Sequence, residues 1–140
     1  MKYFLSIGAI FKNEGHIIEE WIEHHLDEGF EHFYLANNES TDDYLSKIQK
    51  YIDNGIVTLF HVETMNCKGR HQIYSYNKLF LPLAKKETTW LGIIDLDEFL
   101  YACDFNKRVK DYLLNIKDPK VPAVYIPWTR FGSSGFDKQP

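Results

Sequence analysis

Residues 3–37 read YFLSIGAIFKNEGHIIEEWIEHHLDEGFEHFYLAN and contain the patterns of a strand, a helix and a second strand. The segment 3–11 is an apolar run rich in β-forming residues, which predicts a buried strand. Over 16–29, apolar residues recur at helical spacing until Gly29 stops the pattern. Residues 30–37 return to strand composition. This β-α-β unit predicts two parallel strands joined by a right-handed crossover.

The rest of the chain repeats the alternation of strands and helices. The further predicted elements are a helix over 40–55 with its N-cap at Ser40 or Thr41, a strand over 56–62, a helix over 70–86 bent or interrupted near Pro82, a strand over 88–95, a helix over 105–116 and a strand over 123–131. We therefore predict an α/β fold, a mostly parallel Rossmann-like sheet with helices on both faces. With 44% apolar residues, the 140-residue chain can form one core, so we predict a single domain over 1–140.

Composition narrows the class of protein. The net charge of −4 argues against a nucleic-acid partner, because duplex binders rely on a basic face. No run of about 18 apolar residues predicts a transmembrane segment. Cys67 and Cys103 lack CxxC spacing, which indicates a reducing compartment, and we expect a cytoplasmic location. The last predicted strand is followed only by 132–140, so we expect a C-terminally truncated form of a longer domain.

Polar stretches follow each of the first four predicted strands: KNE (12–14), NNESTDD (37–43), ETMNCKGR (63–70) and DLDEF (95–99). The carboxyl ends of parallel strands share one edge of a sheet, where ligands bind in open α/β folds. We therefore expect these four stretches to line one ligand site.

Asp95 and Asp97 form an Asp-x-Asp pair at the end of a predicted strand. In an extended backbone, residues i and i+2 point the same way, so the two carboxylates can share a cation. Two hard oxygen ligands suit Mg²⁺ or Mn²⁺ that carries a diphosphate. Chance alone yields about 0.7 such pairs at this composition, so a solvated strand end with a helix-capping role stays open.

The other polar stretches also have two interpretations. The backbone N–H groups of 12–14 precede a helix and face an anion site, to which Lys12 adds charge; the alternative is an ordinary loop. The stretch 37–43 lies where the edge of a ribose or base would fall, and it is also a helix cap. The six histidines show no zinc-like spacing, so we expect core or surface residues.

Three stretches, 11–43, 95–100 and 128–135, together resemble nucleotide-sugar glycosyltransferases of the GT-A fold, specifically the family-2-like and family-92-like group. The matching features are the KNE loop, the pair Glu20-Trp21 and His25 in the first helix, an Asn-x-Ser-x-Asp element (Asn38, Ser40, Asp42), the DxDEF strand end, and Trp128-x-x-Phe131-Gly-Ser-Ser-Gly.

The resemblance implies metal-dependent, inverting transfer of a sugar from a nucleotide-diphosphate sugar to an acceptor hydroxyl. Mn²⁺ or Mg²⁺ would be the cofactor, held by Asp97 most directly and by Asp95, which lies nearer the ribose or sugar. A UDP-sugar is the expected donor, and the acceptor is a glycan, a lipid or a protein. In many family-2 enzymes an Asp after the second strand contacts uracil; Asn37 and Asn38 occupy that place here.

The resemblance also assigns further substrate-binding residues. Lys12, Asn13, Glu14 and Asp42 would line the nucleotide cleft, Arg70 or Gln72 would contact the nucleotide, and Phe131 and Gly132 would shape the acceptor side.

The catalytic base of inverting members is a carboxylate that usually lies beyond the FGSSG stretch. Asp137 is the one late acid, and nothing in its spacing recommends it, so we expect the base to be absent. A non-catalytic nucleotide-sugar-binding module is therefore one alternative. A phosphoacceptor signalling domain is another, but it needs an acidic pair after the first strand, where this chain has Lys12-Asn13.

Overall fold

The computed structural model describes residues 1–118 and 120–129, which contain a four-stranded parallel sheet. The strands are β1 (Tyr3–Phe11), β2 (His32–Asn37), β3 (Val57–His61) and β4 (Thr88–Ile93), in the spatial order β3-β2-β1-β4. Phe11 pairs with Asn37, Asn37 with His61, and Gly8 with Ile93. The predicted α/β fold with a parallel sheet is confirmed.

The helical elements follow the predicted alternation. They are α1 (Ile18–Asp27), α2 (Tyr44–Asp53), α3 (Thr64–Cys67), α4 (His71–Tyr74), a π-helical segment (Ser75–Phe80), α5 (Leu81–Glu87) and α6 (Val109–Leu114). Among the described residues, no helix is both long enough and apolar enough to cross a bilayer.

Two apolar cores lie on opposite faces of the sheet. Phe33 and Leu35 of β2 pack in one core with α1 and α2, whereas Tyr34 and Ala36 pack in the other with Phe80. Because side chains alternate across a strand, a strand covered on both faces is apolar at most of its positions. This explains the unbroken apolar runs in the sequence and confirms helices on both faces.

Helix α1 turns its apolar stripe toward the sheet. Its buried residues are Ile18, Trp21, Ile22 and His25, the i, i+3, i+4, i+7 spacing of one helix face. Gly29 follows the helix at φ +93°, where a Cβ would lie 2.6 Å from Lys110 Cβ. Glycine therefore suits both the left-handed turn and the close approach of α6.

The strand order reverses direction between β1 and β4. The chain moves outward from β1 through β2 to β3, and then crosses back to form β4 on the other side of β1. The loops that follow β1 and β4 are therefore neighbours. In open α/β sheets, ligands bind at such a switch point.

Two local predictions differ from the structure, and a third is confirmed in more detail. Helix α2 begins at Tyr44 with Asp43 as N-cap, and neither Ser40 nor Thr41 caps it because both bond to Asn13 instead. The interruption expected near Pro82 takes the form of the π-helical segment that ends at Phe80. The strand predicted over 123–131 is wrong for its described part, since 123–129 adopts no regular secondary structure.

Candidate functional site

Asp95 and Asp97 lie in a tight turn rather than on an extended strand, which corrects the geometry expected from the sequence. Strand β4 ends at Ile93, and Glu98 N–H donates to the Asp95 carbonyl at 3.1 Å. Asp95 N–H in turn donates to Glu98 Oε2 at 3.1 Å. We call residues 95–98 the acidic turn. Both aspartates are exposed while Leu96 between them is 1% exposed, so the two carboxylates point away from the core.

Glu14, in the loop after β1, lies within the electrostatic field of the acidic turn. Its pKa is raised chiefly by burial, with further upward contributions from the charges of Asp97 and Asp95. Gln72 Nε2 donates to Asp95 Oδ1 at 3.3 Å. A cation beside these acids would relieve their mutual repulsion.

The two aspartates fit a hard divalent cation such as Mg²⁺ or Mn²⁺. They are exposed carboxylates, the ligand type that these ions prefer. In residues 1–118 and 120–129, no group of three or more His, Cys, Asp or Glu is arranged to hold a metal ion. Asp95 and Asp97 are therefore the residues of the described part that would hold such an ion.

A cleft of about 580 Å³ opens beside the acidic turn, and its polar lining includes Lys12, Glu14, Asn38, Arg70, His71 and Gln72. Lys12 and Arg70 are exposed, and within the described part of the chain neither forms an ion pair. Two cations therefore face a cleft whose border with the acidic turn is formed by Gln72. This combination of charges can bind an anion together with a metal ion.

The loops after β1 and β2 are joined by direct hydrogen bonds. Asn13 N–H donates to Ser40 Oγ at 2.9 Å, and Asn13 Oδ1 accepts Thr41 N–H at 2.7 Å. Gly15 N–H donates to Asp42 Oδ2 at 2.7 Å. The bond from Asn13 occupies one of the backbone N–H groups of residues 12–14 that were expected to face an anion, so that expectation is wrong for Asn13.

Asn37 and Asn38 are both 6% exposed, and their amides bond within the protein. Asn37 Oδ1 accepts Ser40 N–H at 2.9 Å, and Asn37 Nδ2 donates to Tyr44 Oη at 2.8 Å. Asn38 Nδ2 donates to the Val62 carbonyl at 3.1 Å. Both residues therefore shape the loops around the cleft, and a direct contact with the nucleotide stays a prediction.

Two residues at the site were not singled out from the sequence. His71 lines the cleft, and its buried Nδ1 has no hydrogen-bond partner among the described residues. Tyr76 lies near the acidic turn, and burial, followed by the charges of Asp95 and Glu98, raises its pKa. In the sequence, the position of His71 directly after Arg70 was the feature that could have pointed to it. For Tyr76 the sequence offered no feature beyond helical spacing.

A larger cavity of about 820 Å³ lies elsewhere, against β4 and α5. Its lining is mainly apolar and includes Trp90, Leu91 and Leu113. None of the described residues that were predicted to bind the ligand lines this cavity, whereas the smaller cleft is lined by Lys12, Glu14, Asn38, Arg70 and Gln72. We therefore assign the polar chemistry to the smaller cleft. Phe131, Gly132 and Asp137 lie outside the described residues, and their roles stay predictions.

Comparisons with known proteins agree on one family. The model of the family described as "Glycosyltransferase family 92" matches residues 3–139. A glycosyltransferase family 92 protein of Ricinus communis is 29% identical over 97% of this chain and 24% of its own length. A family 92 protein of Oryza sativa subsp. japonica is 24% identical over 97% of this chain and 23% of its own length. The chain thus spans about a quarter of the length of these curated relatives.

Proposed function

The chain belongs to glycosyltransferase family 92, and we propose that it binds a nucleotide-diphosphate sugar for transfer of the sugar to an acceptor hydroxyl. The observation that carries this proposal is the juxtaposition, at the switch point of the sheet, of two exposed aspartates and a cleft lined by Lys12 and Arg70. A diphosphate needs positive charge from the protein and oxygen ligands for its accompanying metal ion. Both are present here.

We assign each residue a task from its position. Asp97 and Asp95 would hold Mn²⁺ or Mg²⁺, and Gln72 orients Asp95 through its amide hydrogen bond. Lys12 and Arg70 would bind phosphate oxygens from the wall of the cleft. The bound ion would supply charge stabilisation to the departing nucleoside diphosphate, so that no acid is needed to protonate it.

The geometry favours transfer over glycoside hydrolysis. Hydrolases place two carboxylates on opposite sides of one glycosidic bond, separated by about 5 to 9 Å. Asp95 and Asp97 lie two residues apart in one turn and both point outward, which suits sharing a cation. We propose an inverting reaction, in which a carboxylate base removes the acceptor proton.

The proposal also includes the sugar donor, the acceptor and the cellular location. A UDP-sugar is our proposed donor, with a glycan, a lipid or a protein as acceptor. The thiols of Cys67 and Cys103 are both free, which supports a reducing, cytoplasmic setting.

Calorimetric titration of UDP-sugars and GDP-sugars, with Mn²⁺ or with a chelator, tests the proposal. We expect heat of binding for UDP-sugars in the presence of Mn²⁺ and none with the chelator. Binding that ignores the metal, or no binding to any nucleotide sugar, would contradict it. A turnover assay with sugar acceptors then separates an enzyme from the second candidate, a non-catalytic nucleotide-sugar-binding module.

A further inference from the structure

The chain that follows the acidic turn is bound by side chains of α1 instead of by another strand. Residues 98–102, which we call the anchor segment, belong to no strand or helix. They face one side of α1, formed by Trp21, His24 and His25 together with the C-cap residue Glu28, which follow the i, i+3, i+4, i+7 spacing. Backbone groups of an unpaired segment need other partners when they leave water.

The hydrogen bonds from α1 reach the backbone of Glu98 and Leu100 in the anchor segment and skip Phe99 between them. Trp21 Nε1–H donates to the Glu98 carbonyl at 2.8 Å. His24 Nε2–H donates to the Leu100 carbonyl at 2.7 Å, and Leu100 N–H donates to His25 Nε2 at 3.2 Å. Leu100 thus has both of its backbone groups satisfied by adjacent histidines.

The side chain of Glu28, the C-cap residue of α1, continues the same row. Glu28 Oε1 accepts Ala102 N–H at 3.3 Å. The bonds to Glu98, Leu100 and Ala102 therefore reach the backbone of every second residue of the segment.

The hydrogen bonds determine the tautomer of His25. The Trp21 carbonyl can only accept, so His25 Nδ1, which lies 2.7 Å from it, carries the proton. His25 Nε2 is then a lone-pair acceptor for Leu100 N–H. Burial lowers the pKa of His25 to about 4, so the imidazole is neutral as this geometry requires.

Apolar contacts support the same attachment. The Phe99 ring lies edge-on to His24, with centroids 5.1 Å apart, and stacks with His25 at 6.0 Å. Within the acidic turn itself, the side chain of Leu96 packs in the core that contains Trp21. The acidic turn is therefore attached to the body of the domain both within its own residues and directly after them.

We infer that Trp21, His24 and His25 are positioning residues, which set the place of the acidic turn by binding the backbone of Glu98 and Leu100. None of the three is assigned to the ligand itself. The consequence for donor binding rests on the proposed function, in which Asp95 and Asp97 hold the metal ion. Residues that orient metal ligands from outside typically change metal affinity by about 10- to 100-fold when replaced.

Four variants test the inference. His25→Phe fills the buried space but offers no acceptor to Leu100, whereas His25→Gln carries a carbonyl oxygen that can replace Nε2. Trp21→Phe removes the indole donor and keeps an aromatic ring. Ile48→Val, in the same core but on α2, is the control for loss of stability alone.

Each variant is compared with the stability control Ile48→Val by two measurements. These are NMR of the backbone amides and the calorimetric affinity for Mn²⁺ with UDP. In His25→Phe we expect faster hydrogen exchange at Leu100, lower order in residues 95–98 and an affinity reduced by about tenfold. Trp21→Phe should show the same loss of order, His25→Gln should restore most of it, and Ile48→Val should match the wild type.

The inference is overturned if His25→Phe and Trp21→Phe leave the order of residues 95–98 equal to that of Ile48→Val. If His25→Phe does not fold, Trp21→Phe, which keeps an aromatic ring in the core, decides the question by the same comparison. If the wild-type chain does not bind Mn²⁺ and UDP, the proposed function fails. Amide exchange and order still decide the positioning role, because they require no ligand.

Discussion

Gly15 N–H donates a hydrogen bond to Asp42 Oδ2 at 2.7 Å, and this bond joins the loop after β1 to the loop before α2. The two residues are 27 positions apart in the chain. A Cβ on Gly15 would lie 2.7 Å from Asp42 Oδ2 and 3.1 Å from Tyr44 N. The close approach of the two loops therefore depends on glycine at this position.

Gly15→Ala should destabilise the domain by about 1–3 kcal/mol, because the methyl group forces the two loops apart. Urea unfolding followed by circular dichroism measures the change. Gly92→Ala is the matched control, since a Cβ there would meet its nearest neighbour, Ile7 Cγ1, at an ordinary 3.6 Å. Equal midpoints for the two variants would show that the loops can separate without cost.

Asp97→Ala should abolish metal-dependent nucleotide binding and leave stability within about 0.5 kcal/mol of the wild type, because the side chain is exposed. Calorimetry with Mn²⁺ and UDP, together with thermal unfolding, checks both parts. Asp27→Ala removes an exposed carboxylate of α1 and controls for net charge. Survival of metal-dependent binding in Asp97→Ala would exclude Asp97 as a ligand.

Asn37→Ala should lower the free energy of unfolding by about 1–3 kcal/mol, because it leaves the Ser40 N–H and the Tyr44 hydroxyl without their buried partner. Asn77→Ala, at an exposed site, is expected to change little. Chemical denaturation of both variants makes the comparison. A fully stable Asn37→Ala that has lost nucleotide binding would favour the base contact and argue against a structural role.

Stability should fall as the pH decreases from about 6.5 to 4, in part because of His25. The pKa of its imidazole is about 4 in the folded chain against 6.5 ordinarily, so over this range the unfolded chain takes up a proton that the folded chain refuses. Proton uptake favours unfolding, and the shift corresponds to about 3 kcal/mol. His25→Gln lacks this group, so its stability should depend less steeply on pH.

Denaturation midpoints of the wild type and His25→Gln at several pH values measure that difference. Burial also lowers the pKa of His32, but this residue is present in both proteins, so its contribution cancels when the two pH profiles are compared. Parallel pH profiles for the two chains would show that His25 is not held neutral in the folded state.

Several predictions from the sequence succeeded because they depend on near neighbours along the chain. The continuous burial of β2 and the helical stripe of α1 follow from side-chain geometry within a few residues. Asp95 and Asp97 also point outward around buried Leu96, but they do so in a turn and not on the extended strand from which this was expected. Their presence in a turn was missed, since the strand stops at Ile93 when its pairing with β1 ends.

Other predictions failed because the partner lies far away in the chain. Ser40 and Thr41 have the composition of a helix cap, yet their polar atoms bond to Asn13. Local preference is worth about 1 kcal/mol at such a position, which a competing hydrogen bond can outweigh. His25 is a core residue, in agreement with what was expected of the histidines, but no local pattern indicates that His24 and His25 both bind Leu100, some 75 positions later.

The amino-acid pattern was sufficient for the order of strands and helices, their buried faces and the location of the acids at the end of a strand. These features depend on backbone and side-chain geometry over short stretches. Which loops meet depends on the packing of the whole sheet, which placed β4 beside β1 and so brought Glu14 within the field of Asp97. The attachment of the acidic turn to α1 arose in the same way, through contacts such as Trp21 with Glu98 that local preferences do not encode.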